Sequence, residues 1–148
     1  MLWLAIPILL VGFWFGVSQL LASLSGWREL SQKYGVRSVS SFTRKTTGGR
    51  IGGVAYNGCL VVGANAEGVA LSVLLPFRPG HAPIFVPWAE LSMGTDAAVV
   101  GATRLRFRAA PQVTLELPEI VANWLRSAAP SAAPAPAQAP KSEAQPLP

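Results

Sequence analysis

Apolar and polar positions divide this chain into an unbroken apolar run, a middle of short alternating runs, and an end that is neither. From Leu2 to Leu24 the sequence LWLAIPILLVGFWFGVSQLLASL carries no charged residue. At about 1.5 Å per residue it would extend roughly 35 Å, enough to cross a hydrocarbon layer of about 30 Å. Residues 1–26 are therefore expected to form a transmembrane helix. Pro7 lies in its first two turns, where a lost backbone bond costs least. Gly12 and Gly16 make a small-residue pair, while Trp3 and Trp27 flank the run as interfacial aromatics. A cleaved secretory signal is the alternative, since LLASLSG offers small residues near a cleavage point. Against it, no Lys or Arg precedes the run, and the run exceeds the ~7–15 residues of a signal core.

Residues 27–36, all but Val36 in the stretch SGWRELSQKYG, read as a juxtamembrane linker, a polar turn or short helix closed by Gly35. Over 37–128 the pattern changes to short β segments bounded by Gly, Asn and Pro. VRSVSSFTR alternates loosely around Val39. TTGGRIGGVAYNG predicts a hairpin loop followed by a strand around Ile51 to Tyr56. CLVVGANAEGVALSVL holds two apolar runs joined by NAEG, whose residues tolerate a tight turn. APIFVPWAEL, ATRLRFRA and QVTLEL follow, the last two alternating through Leu105, Phe107, Val113, Leu115 and Leu117. LPEIVANWLRSA predicts a helix with Pro118 at its first position, Glu119 in its first turn, and Ile120, Val121, Trp124 and Leu125 on one stripe. Residues 129–148 are an Ala/Pro tail that cannot bury a core and is expected to be extended and disordered.

Six or seven short strands followed by one helix make the expected fold mainly β. The N-terminal transmembrane helix leads to a small bent antiparallel sheet or partly open barrel, closed by the C-terminal amphipathic helix. This order resembles the pleckstrin-homology-like superfold, including its GRAM and bacterial relatives. The resemblance runs from Val36 to Ala128 and is most specific at NAEGVALSVL followed by IFVPWAEL. The chain also looks like a group of bacterial membrane-anchored proteins sharing a PFR-x-GH and PW-x-E-L pattern. The resemblance implies that Trp88 ends a strand, that Leu91 packs inward, and that the domain binds lipid headgroups, peptides or proteins without catalysing a reaction.

In a chain of 148 residues, a hydrophobic share of 51% against 13% charged is high, and its concentration at the N-terminus supports the membrane segment. The net charge of +5 is scattered, whereas nucleic-acid binders cluster Lys and Arg. Arg28, Lys33 and Arg37 follow the apolar run, opposed only by Glu29. The positive-inside bias then places the domain in the cytoplasm and the anchor in a cell inner membrane. The single cysteine, Cys59, excludes an intramolecular disulfide, and with one histidine it cannot build a zinc site. No cofactor is implied. A Ser-His-Asp set would have to combine His81 with Asp96 and Ser72 or Ser92, none of which stands in a nucleophile elbow. TTGGRIGG lacks the Lys-Ser/Thr of a phosphate loop. No catalytic residue is expected.

Two groups of binding candidates remain. Arg44, Lys45 and Arg50 flank the expected first hairpin loop, and Arg104, Arg106 and Arg108 alternate at period two along one strand face. They form either a solvated outer face or a surface resting on anionic phospholipid, where each basic residue contributes on the order of 1 kcal/mol. Arg78 and His81 sit beside Pro79-Gly80, a tight turn stiffened by Pro76 and Pro83. They either fix that loop or, with Trp88, contact a ligand or partner. The sequence thus describes a single-pass membrane-anchored, non-catalytic binding or scaffolding module whose partner is a protein or the anionic membrane surface. The alternative is a secreted or periplasmic β domain with an unspecified enzymatic or substrate-binding role.

Overall fold

The computed structural model describes residues 2–36 and 42–130; the expectations for Val39 and for residues 131–148 lie outside them. Helix α1 (Leu2–Leu24) is the long apolar run, with Pro7 inside it. Its side chains are exposed from Trp3 to Gly16, and from Val17 onward one face turns to the rest of the molecule, burying Ser18 and Ala22. It is long and apolar enough to span a membrane.

Seven strands follow: β1 (Thr43–Ile51), β2 (Val54–Ala64), β3 (Gly68–Val73), β4 (Ile84–Pro87), β5 (Leu91–Gly94), β6 (Ala102–Phe107) and β7 (Ala110–Pro118). They form one antiparallel sheet in the order β4-β3-β2-β1-β7-β6-β5. The two edge strands, β4 and β5, are neighbours in sequence and are joined by a single 3₁₀ turn, Trp88–Glu90. The sheet must therefore curl until its edges meet at that corner, giving a nearly closed barrel as the alternating pattern predicts. Its inward positions include Leu105, Phe107, Leu115 and Leu117, all buried. Each such side chain contributes about 1.5–3 kcal/mol by leaving water.

Local chemistry explains the turns. The hairpin expected across TTGGRIGG is confined to Gly52 and Gly53, with φ of 54° and 86°. Two positive φ values suit a two-residue connection whose twist matches that of the strands. Thr46 to Arg50 belong to β1 itself, so Arg44 and Lys45 lie away from the turn at the start of the strand, and of the three expected residues Arg50 alone borders it. Gly49 is needed inside the strand because a Cβ there would lie 2.9 Å from the Glu116 carbonyl oxygen. The β2–β3 turn follows the expected NAEG: Asn65 Oδ1 accepts from the backbone N–H of Glu67 (2.8 Å) and of Gly68 (3.0 Å).

The segment expected to be a linker is a helix, α2 (Trp27–Tyr34), and its Trp27 and Leu30 are fully buried in the core. α2 packs against β4 and β7. Gly35 bridges to Ile84, Val36 N–H donates to the Pro83 carbonyl (3.1 Å), and the Tyr34 hydroxyl donates to Glu90 (3.2 Å). Helix α3 (Glu119–Ala128) packs on β6 and β7 through Val121, Ala122 and Leu125. Two details differ from the expectation: Pro118 ends β7 before the helix begins, and Ile120 faces outward.

Candidate functional site

The expected contact loop, Pro76 to Pro83, belongs to a connection from Leu74 to Pro83 that lies against the C-terminal half of α1. It opens with a 3₁₀ turn over Leu75–Phe77. A β-turn follows, with Pro79 at its second position and Gly80, at φ 78°, at its third; it is closed by His81 N–H donating to the Arg78 carbonyl (2.8 Å). Gly80 is required by proximity as well as by φ, since a Cβ would stand 2.7 Å from Gln19 Oε1 and 3.1 Å from Ala22 Cβ. Trp14 Nε1 donates to the Pro76 carbonyl (2.6 Å), and its ring meets Phe77 at 5.1 Å.

His81 is buried at this junction, with 2% of its surface exposed. Its Nδ1 lies 3.1 Å from the Pro79 carbonyl oxygen. A carbonyl only accepts, so Nδ1 carries the proton and the neutral ring's Nε2 accepts from the Tyr56 hydroxyl at 2.9 Å. The Tyr56 hydroxyl is also 2.9 Å from Ser25 Oγ, one residue past α1 and fully buried. Trp27 completes the cluster: its ring packs edge-on to His81 at 5.2 Å, and its Nε1 donates to the Ala82 carbonyl (2.9 Å). Ser25, Tyr56 and His81 form a continuous hydrogen-bonded seam between the apolar helix and the barrel.

Burial pushes the His81 imidazole below its usual value, against the carbonyls of Pro79 and Phe77, which pull it upward. Burial also raises the Tyr56 phenol, so neither group is poised to exchange protons near neutrality. Because the folded state holds His81 neutral, the unfolded chain binds the extra proton. Stability should be complete above pH ~6.5, the ordinary histidine value, and fall as pH drops below it. Thermal melting of the full chain between pH 7.5 and 5 checks this. His81→Gln should flatten the acid limb, and an unchanged limb would assign it to other groups.

The remaining candidates do not converge on this seam. Arg78 is exposed on the loop. Trp88 lies just past the end of β4, as the resemblance implies; its Nε1 donates to the Asn65 carbonyl (2.9 Å) and ties two turns together. Leu91 is partly buried and packs against the core. The arginine stripe is shorter than expected, because Arg108 belongs to the β6–β7 turn. Arg104 binds Glu116 (2.9 Å) and Asp96 (3.5 Å), and Arg106 pairs with Asp96. The Ala98 N–H and the Arg104 guanidinium hold the Glu116 carboxyl below the usual carboxylate range. Lys45 sits 5.3 Å from the Trp124 ring centroid, and Arg50 donates to the Gly53 carbonyl (3.1 Å).

Among the described residues no cluster of three His, Cys, Asp or Glu side chains is placed to hold a metal. Cys59 is buried and its thiol is pushed up by burial, which disfavours a thiolate. A cavity of about 220 Å³ beside His81 is lined by Ser18, Leu21, Tyr56, Cys59 and Phe77. Sequence reading missed Ser25, Tyr56 and Trp14 as members of this junction. Trp14 carried one signal, an indole N–H in the middle of an apolar helix that needs an acceptor.

No family model, curated protein or solved structure matches this chain. The reading of the junction therefore rests on its own geometry.

Proposed function

We propose that the chain is a single-pass membrane-anchored, non-catalytic binding or scaffolding module whose helix and barrel are one rigid piece. The observation that carries this is the Ser25–Tyr56–His81 seam, in which Tyr56 ties the residue just past the anchor to the barrel and to its buried histidine. Proteolytic removal of α1 near Ser23 would strip the buried Ser18 and Ala22 from the barrel, which favours a retained anchor over a cleaved signal. Arg28 and Lys33 directly after α1 favour a cytoplasmic barrel at an inner membrane.

The pleckstrin-homology-like resemblance supplies the class of activity, binding of a protein or of an anionic membrane surface. The pairing of Arg104 and Arg106 with carboxylates weakens the lipid option for that stripe and favours a protein partner. Three measurements test the proposal. A C-terminal reporter active only in the cytoplasm should be active, and the mature chain should keep residues 2–24 by mass spectrometry. A mature chain beginning near Ser23 would overturn the anchored reading. Photocrosslinking in intact membranes should then recover a reproducible protein neighbour; recovery of phospholipid alone would assign the barrel to the lipid surface.

A further inference from the structure

α1 is 23 residues long, but its residues are exposed without exception only from Trp3 to Gly16. Residues 3–16 measure roughly 21 Å at helical rise, about 9 Å less than the hydrocarbon layer they would cross. The rest of the span has to come from Val17 to Leu24, where the barrel already occupies one face and Leu20 and Leu24 remain exposed on another. Whatever the barrel presents there shares the depth of the acyl chains.

It presents the start of the junction loop. Leu75 is 75% exposed and Leu74 40%, an unusual pair of leucines for a barrel surface facing water. Phe77 is partly buried against Trp14, and the Pro76 carbonyl takes the Trp14 indole proton. Such a loop can enter hydrocarbon only if its backbone polar groups are satisfied. The N–H of Leu74 donates to the Cys59 carbonyl (2.9 Å), that of Phe77 to the Leu74 carbonyl (2.9 Å) and that of Arg78 to the Leu75 carbonyl (3.3 Å), and Pro76 has none to satisfy, which leaves the Leu75 N–H, at the start of the 3₁₀ turn, to the interfacial layer. Arg78 follows, exposed, with a stem long enough to lie along apolar surface while its guanidinium reaches the headgroup phosphates.

We infer that Leu74, Leu75 and Phe77 enter the near leaflet beside α1, so that phospholipid acyl chains cover this loop and the barrel is partly embedded. The inference rests on the anchored reading, and its test separates the two. In a Cys59→Ala background, single cysteines at Leu9, Leu75 and Ala66 carry a polarity-sensitive dye on the full chain in phosphatidylcholine/phosphatidylglycerol vesicles, with and without brominated acyl chains. Dye at Leu9 and Leu75 should be quenched by the brominated lipid, and dye at Ala66, on the β2–β3 turn, should not. Quenching at Leu9 alone overturns the inference and leaves the anchor standing; quenching at neither position overturns both. A blue-shifted but unquenched dye at Leu75 means that protein covers the loop, such as a second copy, and also overturns it. A photoreactive side chain at position 75 with Cys59 retained gives the same reading without that substitution: lipid adducts support the inference, and protein adducts alone oppose it.

Discussion

Trp27→Ala should lower the stability of the full chain by about 3–5 kcal/mol, a large part of the ~5–15 kcal/mol that holds a typical domain together. Trp27 is fully buried, packs on His81 and Tyr56, and holds the Ala82 carbonyl through its indole N–H. Alanine removes the ring, leaves a cavity, and takes the hydrogen-bond donor from that carbonyl. Thermal melting in detergent micelles, followed by near-ultraviolet circular dichroism, measures the loss. A companion truncation sharpens the result. A chain starting at residue 37 lacks Trp27 and Leu30 and should fail to give a cooperative transition, whereas one starting at residue 25 should keep it. Cooperative melting of the shorter chain would return residues 27–36 to the status of a linker.

The second large effect is expected at the β1–β2 turn, where two adjacent glycines make an internal control. Both occupy positive φ, so alanine at either position should cost on the order of 1–3 kcal/mol in backbone strain. Their surroundings differ. A Cβ at Gly53 meets nothing within 4 Å, whereas one at Gly52 would stand 2.2 Å from the Ser25 carbonyl oxygen. Gly52→Ala must therefore push the hairpin away from the end of α1 and disturb the seam, and Gly53→Ala need not. Paired melting curves should place Gly52→Ala clearly below Gly53→Ala, and Gly52→Ala alone should weaken the protection of the Gly52 amide, which donates to the Thr114 carbonyl (2.9 Å), in hydrogen exchange. Equal losses would show that the turn yields freely and that its contact with Ser25 is incidental.

These cases also explain how far the sequence could be read. Strands and their faces were legible wherever alternation was strong, as at Leu105 and Phe107 or at Val113, Leu115 and Leu117, because period two is imposed by the pleat itself. NAEG was legible because the asparagine side chain makes its bonds locally. The role of α2 was not: WRELSQKY is polar in composition, and only two of its residues enter the core. Their burial depends on the curled sheet bringing β4 and β7 against one helix, a tertiary fact without a local signature. The candidate site was half legible. Pro79-Gly80 announced a turn and His81 drew attention by being single, but its partner Tyr56 lies 25 positions away, and Ser25, which continues the seam, lies 31 positions before Tyr56. Arg104 and Arg106 alternate as a surface stripe should, yet the neutralisation of Arg104 depends on the strand register that brings Glu116 opposite it, and that of Arg106 on Asp96 in the β5–β6 connection.

The joining of β4 to β5 at one corner bears on how copies of the molecule tolerate one another. Proteins confined to a bilayer meet in two dimensions, where an open strand edge is a hazard for edge-to-edge pairing and aggregation. Here each edge strand is only four residues long, and the rim of β4 is engaged by Gly35 and Val36. If α1 anchors the chain as proposed, a crowded membrane finds little unpaired backbone on which to start a fibre.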